Sequence, residues 1–509
     1  MKVPPGISPV VTINRKAETP IYRQVYEAFR SAIMDGRLRA GERIPSTRAL
    51  ALELKVSRIP VLNAYAQLLA EGYFESRTGS GTVISRALPN PIRVPHEAQV
   101  DRVQRLGPRP LSANSEMPPQ PARNLFVRRG LGAFGVGQVA FEQFPFRIWK
   151  ALVARHCRKA TDKSFDYGDP LGLEELRQVI AAYVRTARSV RCQADQVVIV
   201  SGSQQALAIT SRVLLDPNCS VWMEEPGYGF ARRVFRFSGC RIVPVPVDDE
   251  GLDVGEGIRR CATARVAMVS PSHQYPLGST MSAARRLQLI EWAERAGSWI
   301  IEDDYDSEYR YETTPIASLQ GLDWNSRVIY IGTFSKVLFP SLRLGYMVIP
   351  SDLVEHFISV RFAMDITPPG FFQNVLADFI REGHFSRHLR RMRALYGERR
   401  AALVDSLRSE LGPKVRISGA QAGTHLSLIL NGIEDAKFVE RAAKRNLWLV
   451  PLSPSYLGKA VHQGFVLGFG SVATEAIPAA VCKLGLVLNS RRTEQTSFYL
   501  VRRHAGRPM

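Results

Sequence analysis

The sequence predicts an α/β protein built in two unequal parts. A small helical unit closed by a β-hairpin comes first, a linker follows, and a large mostly parallel sheet with a smaller α+β subdomain completes the chain. Three observations carry this. Residues 1–85 show helical apolar periodicity and then a glycine-rich hairpin signal. Residues 86–125 are rich in Pro and Arg and have no period. Residues 126–490 alternate short apolar strand-like runs with helical patterns, as crossover-connected parallel strands do. A basic tail, 491–509, ends the chain.

The bulk properties narrow the function. The 509 residues are 45% hydrophobic and 22% charged, an ordinary globular composition that excludes a disordered or fibrous chain. Lys and Arg total 67 against 47 acids, a net +20, which predicts contact with a polyanion. The six cysteines have no CxxC or metal-ligand spacing, so no metal is expected and the thiols read as reduced. The first ten residues lack an apolar signal region and no uncharged stretch approaches 18 apolar residues. The expectation is a cytoplasmic protein without a membrane span.

In the first unit, IYRQVYEAFRSAIMDG places Ile21, Val25, Ala28, Phe29, Ala32 and Ile33 on one helical face, and Asp35-Gly36 closes it. Ser46 is a good N-cap for TRALALEL, and Ser57 for RIPVLNAYAQLLAEG. The second of these helices carries its own apolar stripe. YFES and TVIS then flank the loop RTGSG. Two short helices joined by a tight turn, followed by a hairpin, describe a winged helix-turn-helix. The run from Pro20 to Ile84 resembles the DNA-binding domain of the GntR family. The resemblance implies that the SRIPVLNAY helix enters the major groove of double-stranded operator DNA. Arg48 and Arg58, in the first turns of the two short helices, can reach phosphate or guanine. Ser46 and Thr47 are phosphate candidates, Ser57 is a further DNA-binding candidate, and Arg77, Gly79 and Ser80 belong to the wing. Pro60 stands where the family usually carries Thr, which removes one hydroxyl contact.

In the large unit, the strand VIYIGT runs into a polar turn with Lys336. Thr333 and Ser335 precede it and Arg343 follows, so one amine suited to an imine stands with three groups suited to a phosphate dianion. Upstream, VVIVSGSQQALAI is a strand, a glycine turn and a helix start. It would aim the N–H groups of Gly202, Ser203 and Gln204 at an anion. Tyr228 follows a Pro-Gly turn and is placed to stack on a flat ring. WIIEDDYD ends a strand in acids, with Asp303 and Tyr305 on one face at the end where α/β sheets bind ligands.

These pieces resemble the fold-type-I aminotransferases. With PSHQYPLGSTMSAARR and YGDPLGLEELR, the whole chain resembles the MocR subgroup of GntR regulators, in which a winged helix is fused to an aminotransferase-like domain. The resemblance implies pyridoxal 5′-phosphate as cofactor, with Lys336 as its Schiff-base lysine. It implies Asp303 at the pyridine nitrogen, Tyr305 at the phenolic oxygen and Tyr228 on the ring. Gly202, Ser203, Gln204, Thr333, Ser335 and Arg343 would hold the phosphate. Tyr167 of a homodimer partner would reach the same phosphate. His273 lies beside the position of the usual Asn-Pro pair, here His-Gln-Tyr-Pro. Transaminases grip the substrate carboxylate with an arginine on a late strand, and Val466 stands at that place. The expected function is a cofactor-binding regulator that senses an amino compound or pyridoxal phosphate itself, without steady turnover. Arg232 and Arg233 are the nearby cations that could take the arginine's place. The alternative is a working aminotransferase with a DNA-binding appendage.

Overall fold

The computed structural model describes residues 10–77, 81–88, 132–311, 316–412, 415–430 and 432–489. The chain forms two compact units that divide between Leu111 and Ser112.

The first unit holds α1 (Ile21–Met34), α2 (Thr47–Glu53), α3 (Arg58–Ala70) and the hairpin β1 (Phe74–Arg77)/β2 (Gly81–Ile84). Phe74 pairs with Ile84 and Arg77 with Gly81 in antiparallel register. The core forms because each element offers one apolar face. Phe29 from α1, Tyr65 from α3 and Phe74 from β1 meet edge-to-face with centroids 5.2–5.7 Å apart. Tyr65 also donates to the carbonyl of Pro45 (3.0 Å), which fixes α3 against the start of α2. The Ser46 hydroxyl caps α2 by accepting from Ala49 N (3.2 Å). Ser57 occupies the N-cap position of α3, but its hydroxyl makes no capping bond.

The second unit is built on an eight-stranded sheet of order β3-β10-β9-β8-β7-β4-β5-β6. Its strands are β3 (Val197–Val200), β4 (Ser220–Glu225), β5 (Arg241–Asp248), β6 (Gly251–Leu252), β7 (Val266–Val269), β8 (Trp299–Asp304), β9 (Val328–Thr333) and β10 (Gly345–Val348). Strands β9, β8, β7, β4 and β5 pair in parallel. β10 is antiparallel to both β9 and β3. The sheet is therefore mostly parallel, as expected, with β10 and β6 running antiparallel to their neighbours. The segment from Thr333 to Gly345 contains no crossover helix, only a short 3-10 turn, so the chain must return antiparallel.

Helices cover both faces, which explains why these strands read as unbroken apolar runs. Val197 and Ile199 of β3 join one core and Val198 and Val200 the other. The helices before the small sheet, in chain order, are α4 (Phe146–Lys159), α5 (Glu174–Arg188), α6 (Ser203–Leu214), α7 (Gly229–Phe237), α8 (Val254–Cys261), α9 (Ala283–Ala296), α10 (Val354–Asp365), α11 (Phe371–Arg381) and α12 (His384–Leu411). A four-stranded antiparallel sheet follows, of order β11-β12-β14-β13, with β11 (Arg416–Ser418), β12 (His425–Ile429), β13 (Val450–Pro451) and β14 (Gly464–Gly468). The C-terminal ends of β3, β9, β8, β7 and β4 share one edge of the large sheet, and the loops leaving them carry the candidate site.

Candidate functional site

Lys336 follows β9 by three residues and is half-buried, its Nζ donating to the carbonyl of Gly137 (3.4 Å). Gly137 has φ +75°, which favours glycine, and a Cβ there would lie 2.3 Å from Lys336 Nζ and push the amine aside. The turn before the lysine is shaped by Thr333, whose Oγ1 accepts from Ser335 N (3.2 Å). Thr333 Oγ1 accepts this bond and keeps its O–H proton to donate.

The groups expected to hold an anion come together at the start of α6. Gly202 is its N-cap, with φ +104°. A Cβ on Gly202 would meet Arg343 Nη1 at 3.3 Å, so the guanidinium sits directly against the helix N-terminus. The Gln204 side-chain nitrogen is buried there with no hydrogen-bond partner. The first-turn N–H groups of a helix also lack intrahelical partners and favour negative charge. Arg343 itself is in the left-handed region (φ +51°), which turns the chain into β10.

The strand period resolves the acids of β8. Glu302 accepts from Leu319 N and Gln320 N (2.8 and 2.9 Å), and Asp304 from Arg188 Nε (2.8 Å) and Tyr330 Oη (2.5 Å). Asp303 points to the opposite face, where its Oδ1 is buried without a partner. Burial, reinforced by Asp304 and Asp306, pushes the Asp303 carboxyl up to about 7, and Lys336 pulls the other way. A carboxylate held this way is short of one cationic donor, and a protonated pyridine nitrogen is such a donor. The orphaned Asp303 oxygen, the unpartnered Gln204 amide and the Lys336 amine together fit pyridoxal phosphate.

Tyr305 donates to the backbone carbonyl of His273 (2.8 Å). The His273 ring is enclosed, with Nδ1 3.2 Å from both Asp306 oxygens and Nε2 3.3 Å from Gly419 O. Tyr228 stands at the N-cap of α7, its ring edge-on to Tyr275 at 5.9 Å. Tyr167 is 75% exposed and stands outside this cluster. Arg232 is buried, and its guanidinium donates to the carbonyls of Gly227 and Ser455. Val466 is fully buried in β14, opposite Ser427 and packed with Leu277, Ile429 and Leu452. The place expected to grip a carboxylate is apolar.

Sequence reasoning missed four residues here. His425 on β12 packs against His273 (4.7 Å) and lies parallel to Tyr305 (6.3 Å). Burial, His273 and Lys336 hold its imidazole neutral, and its Nε2 has no partner. With His273 and Asp306 it places three possible ligand atoms within 4.8 Å of one another. Glu224 is pushed up to about 8 by burial, against bonds from Ser270 N and Gln274 Nε2. Gln274 also donates to the carbonyls of Pro226 and Tyr275 and so pins the His-Gln-Tyr-Pro loop. Gly137 is the fourth.

On the first unit, Arg48, Ser46, Ser57 and Arg58 are exposed, and Arg58 Nε donates to Thr47 Oγ1 (3.3 Å) across the helix pair. Arg77 lies on β1, while Gly79 and Ser80 fall outside the described residues.

A winged helix-turn-helix followed by an aminotransferase-type sheet with a lysine at its ligand edge defines a class: DNA-binding regulators with an aminotransferase-like domain. Residues 21–84 match the family described as "Bacterial regulatory proteins, gntR family", and residues 132–464 match "Aminotransferase class I and II". The chain is 39% identical to a probable rhizopine catabolism regulatory protein, MocR, of Rhizobium meliloti, over 91% of this chain and 92% of that one. It is 31% identical to the pyridoxine biosynthesis transcriptional regulator PdxR of Corynebacterium glutamicum, over 91% and 94%. The solved Pyrococcus horikoshii kynurenine aminotransferase, in complex with PMP, is 28% identical with a TM-score of 0.70, covering 78% of this chain and 99% of that one. The chain belongs to the MocR-type GntR-family transcriptional regulators.

Proposed function

We propose that this regulator binds pyridoxal 5′-phosphate in its large unit and double-stranded operator DNA through α3 and the wing. It works as a cytoplasmic homodimer whose DNA-bound state is set by an amino compound or by the cofactor itself. The observation that carries the reading is the buried, unpartnered Asp303 oxygen on the face that Lys336 also reaches. The names of the relatives, which concern pyridoxine biosynthesis and rhizopine catabolism, support control of small-molecule metabolism.

When bound, the cofactor supplies an electrophilic carbon and an electron-accepting ring. The chain's own residues do the rest. Lys336 would offer the amine that carries it. Asp303 would hold a proton on the ring nitrogen. The Gly202–Gln204 turn, Thr333, Ser335 and Arg343 would hold the phosphate. Tyr228 would cover one ring face, and Tyr305 would serve the phenolic oxygen. The apolar surround of Val466 leaves a ligand's carboxylate without a charged grip, so the geometry that fast chemistry requires is not enforced.

An enzyme reading rests on the intact Lys336–Asp303 pair and the kynurenine aminotransferase likeness. One experiment separates the two. Borohydride reduction of the yellow protein fixes the cofactor on Lys336, and Lys336→Ala loses the adduct while keeping the fold. Amines then shift the absorbance and operator binding without steady turnover. An adduct on another lysine overturns the site, and amino-group exchange at about 1 s⁻¹ or faster establishes the enzyme.

A further inference from the structure

Helix α3 is apolar on both sides. Val61, Ala64, Tyr65 and Leu68 face the core of the first unit. On the other side Ile59 is 68% exposed, Leu62 41% and Leu69 37%, with exposed Ala66 between them. The spacing 59, 62, 66, 69 is a second helical stripe, and it faces water. A helix hydrophobic all round is normally buried, so this face calls for a cover. No acid occurs between Arg58 and Ala70, so nothing on α3 repels a polyanion. Arg58 opens the helix, and Asn63, exposed beside Leu62, is the side chain suited to adenine.

We propose that Ile59 and Leu62 read thymine in the major groove by packing on its C5-methyl group. The idea rests on the placement of α3 in the groove. The N-terminal turns of a recognition helix reach base edges, and the thymine methyl is the one apolar feature a base pair presents there. Pro60, between the two, carries no hydroxyl or amide to compete for a polar contact. Together Ile59, Leu62 and Asn63 make the front of α3 a reader of A·T pairs.

The test uses the full chain and a duplex site recovered by selection from a randomised DNA pool. Each thymine is replaced singly by deoxyuridine, which lacks only the methyl. At fixed salt, wild type should lose about fourfold in affinity at each contacted thymine, the worth of one buried methyl, and nothing at flanking positions. The Ile59→Ala/Leu62→Ala variant should be indifferent to the same replacements while keeping its circular dichroism. A wild-type protein that binds every uracil duplex as tightly as its thymine parent overturns the proposal, and Arg58→Ala in the same assay then tells what else fell. Loss of binding on Arg58→Ala keeps α3 in the groove, whereas undiminished specific binding, or recovery of no specific site, removes that placement as well. If Leu62→Ala dissociates an oligomer in sedimentation and leaves the uracil response unchanged, the stripe covers another copy of the chain and the proposal is wrong.

Discussion

Replacing Asp303 with Asn should make the cofactor-free protein more stable and the cofactor-loaded protein worse. In the native state the buried Asp303 carboxyl holds its proton up to about 7, against an ordinary 3.8. An acid whose native value is raised contributes stability that is full below about pH 4 and is lost as pH climbs through about 7. At pH 8 the native protein carries a buried carboxylate without its donor. Moving a carboxyl from 3.8 to about 7 corresponds to at most about 4 kcal/mol, at about 1.4 kcal/mol per tenfold change in proton affinity. Asn removes that charge at similar volume. The assay is denaturant unfolding of cofactor-free wild type and Asp303→Asn at pH 5 and pH 8. The variant should exceed wild type by about 1.5 kcal/mol at pH 5 and by about 4 kcal/mol at pH 8. With cofactor present the order reverses, because the variant gives up a charge-assisted hydrogen bond worth about 1.5–3 kcal/mol. A cofactor-free variant no more stable than wild type at pH 8 would refute the reading of Asp303 as an acid waiting for a cation.

Gly137→Ala should weaken cofactor loading at least tenfold in a spectrophotometric titration, since its Cβ would sit 2.3 Å from Lys336 Nζ at a positive φ. Unchanged loading would show that Gly137 does not bound the amine. Arg58→Ala should cost about 1–3 kcal/mol in operator binding, and its own contribution to the salt dependence should disappear with it. Tyr167 is tested by co-assembling Lys336→Ala chains with Tyr167→Phe chains. If Tyr167 serves the neighbouring subunit, mixed dimers regain one intact site and tight cofactor binding. If it serves its own, they regain none.

Legibility from sequence followed distance along the chain. Lys336, Thr333, Ser335 and Arg343 fall within one strand–turn–strand, and Gly202–Gln204 within one strand–helix turn, so local pattern sufficed to group them. The choice of Asp303 among four acids needed the partners of Glu302 and Asp304, which come from the 188, 319–320 and 330 regions. The alternation of β8 predicts the same face, but only long-range contacts show which face is satisfied. His425 was invisible for another reason. HLSLI reads as a core strand, and nothing in it marks an imidazole that meets His273 from a separate sheet. The antiparallel β10 was hidden because strand patterns carry no direction, although the missing crossover helix was a usable signal.

The stretch that begins at residue 132 also sets the mechanics of the large unit. Ala133 bridges Leu447, Phe134 O accepts from Gly468 N (2.9 Å), and a Cβ at Gly468 or Gly470 would strike the carbonyl of Gly135 or Gln138. This strip is clamped along the small sheet, and four residues from Ala133 it touches the amine of Lys336. It is also the part of the large unit that the Pro/Arg-rich stretch delivers first. A displacement of this clamped strip is therefore felt at Gly137, whose carbonyl meets the Lys336 amine. In the reverse direction, a ligand that draws Lys336 Nζ off the Gly137 carbonyl removes one of the tethers of this strip.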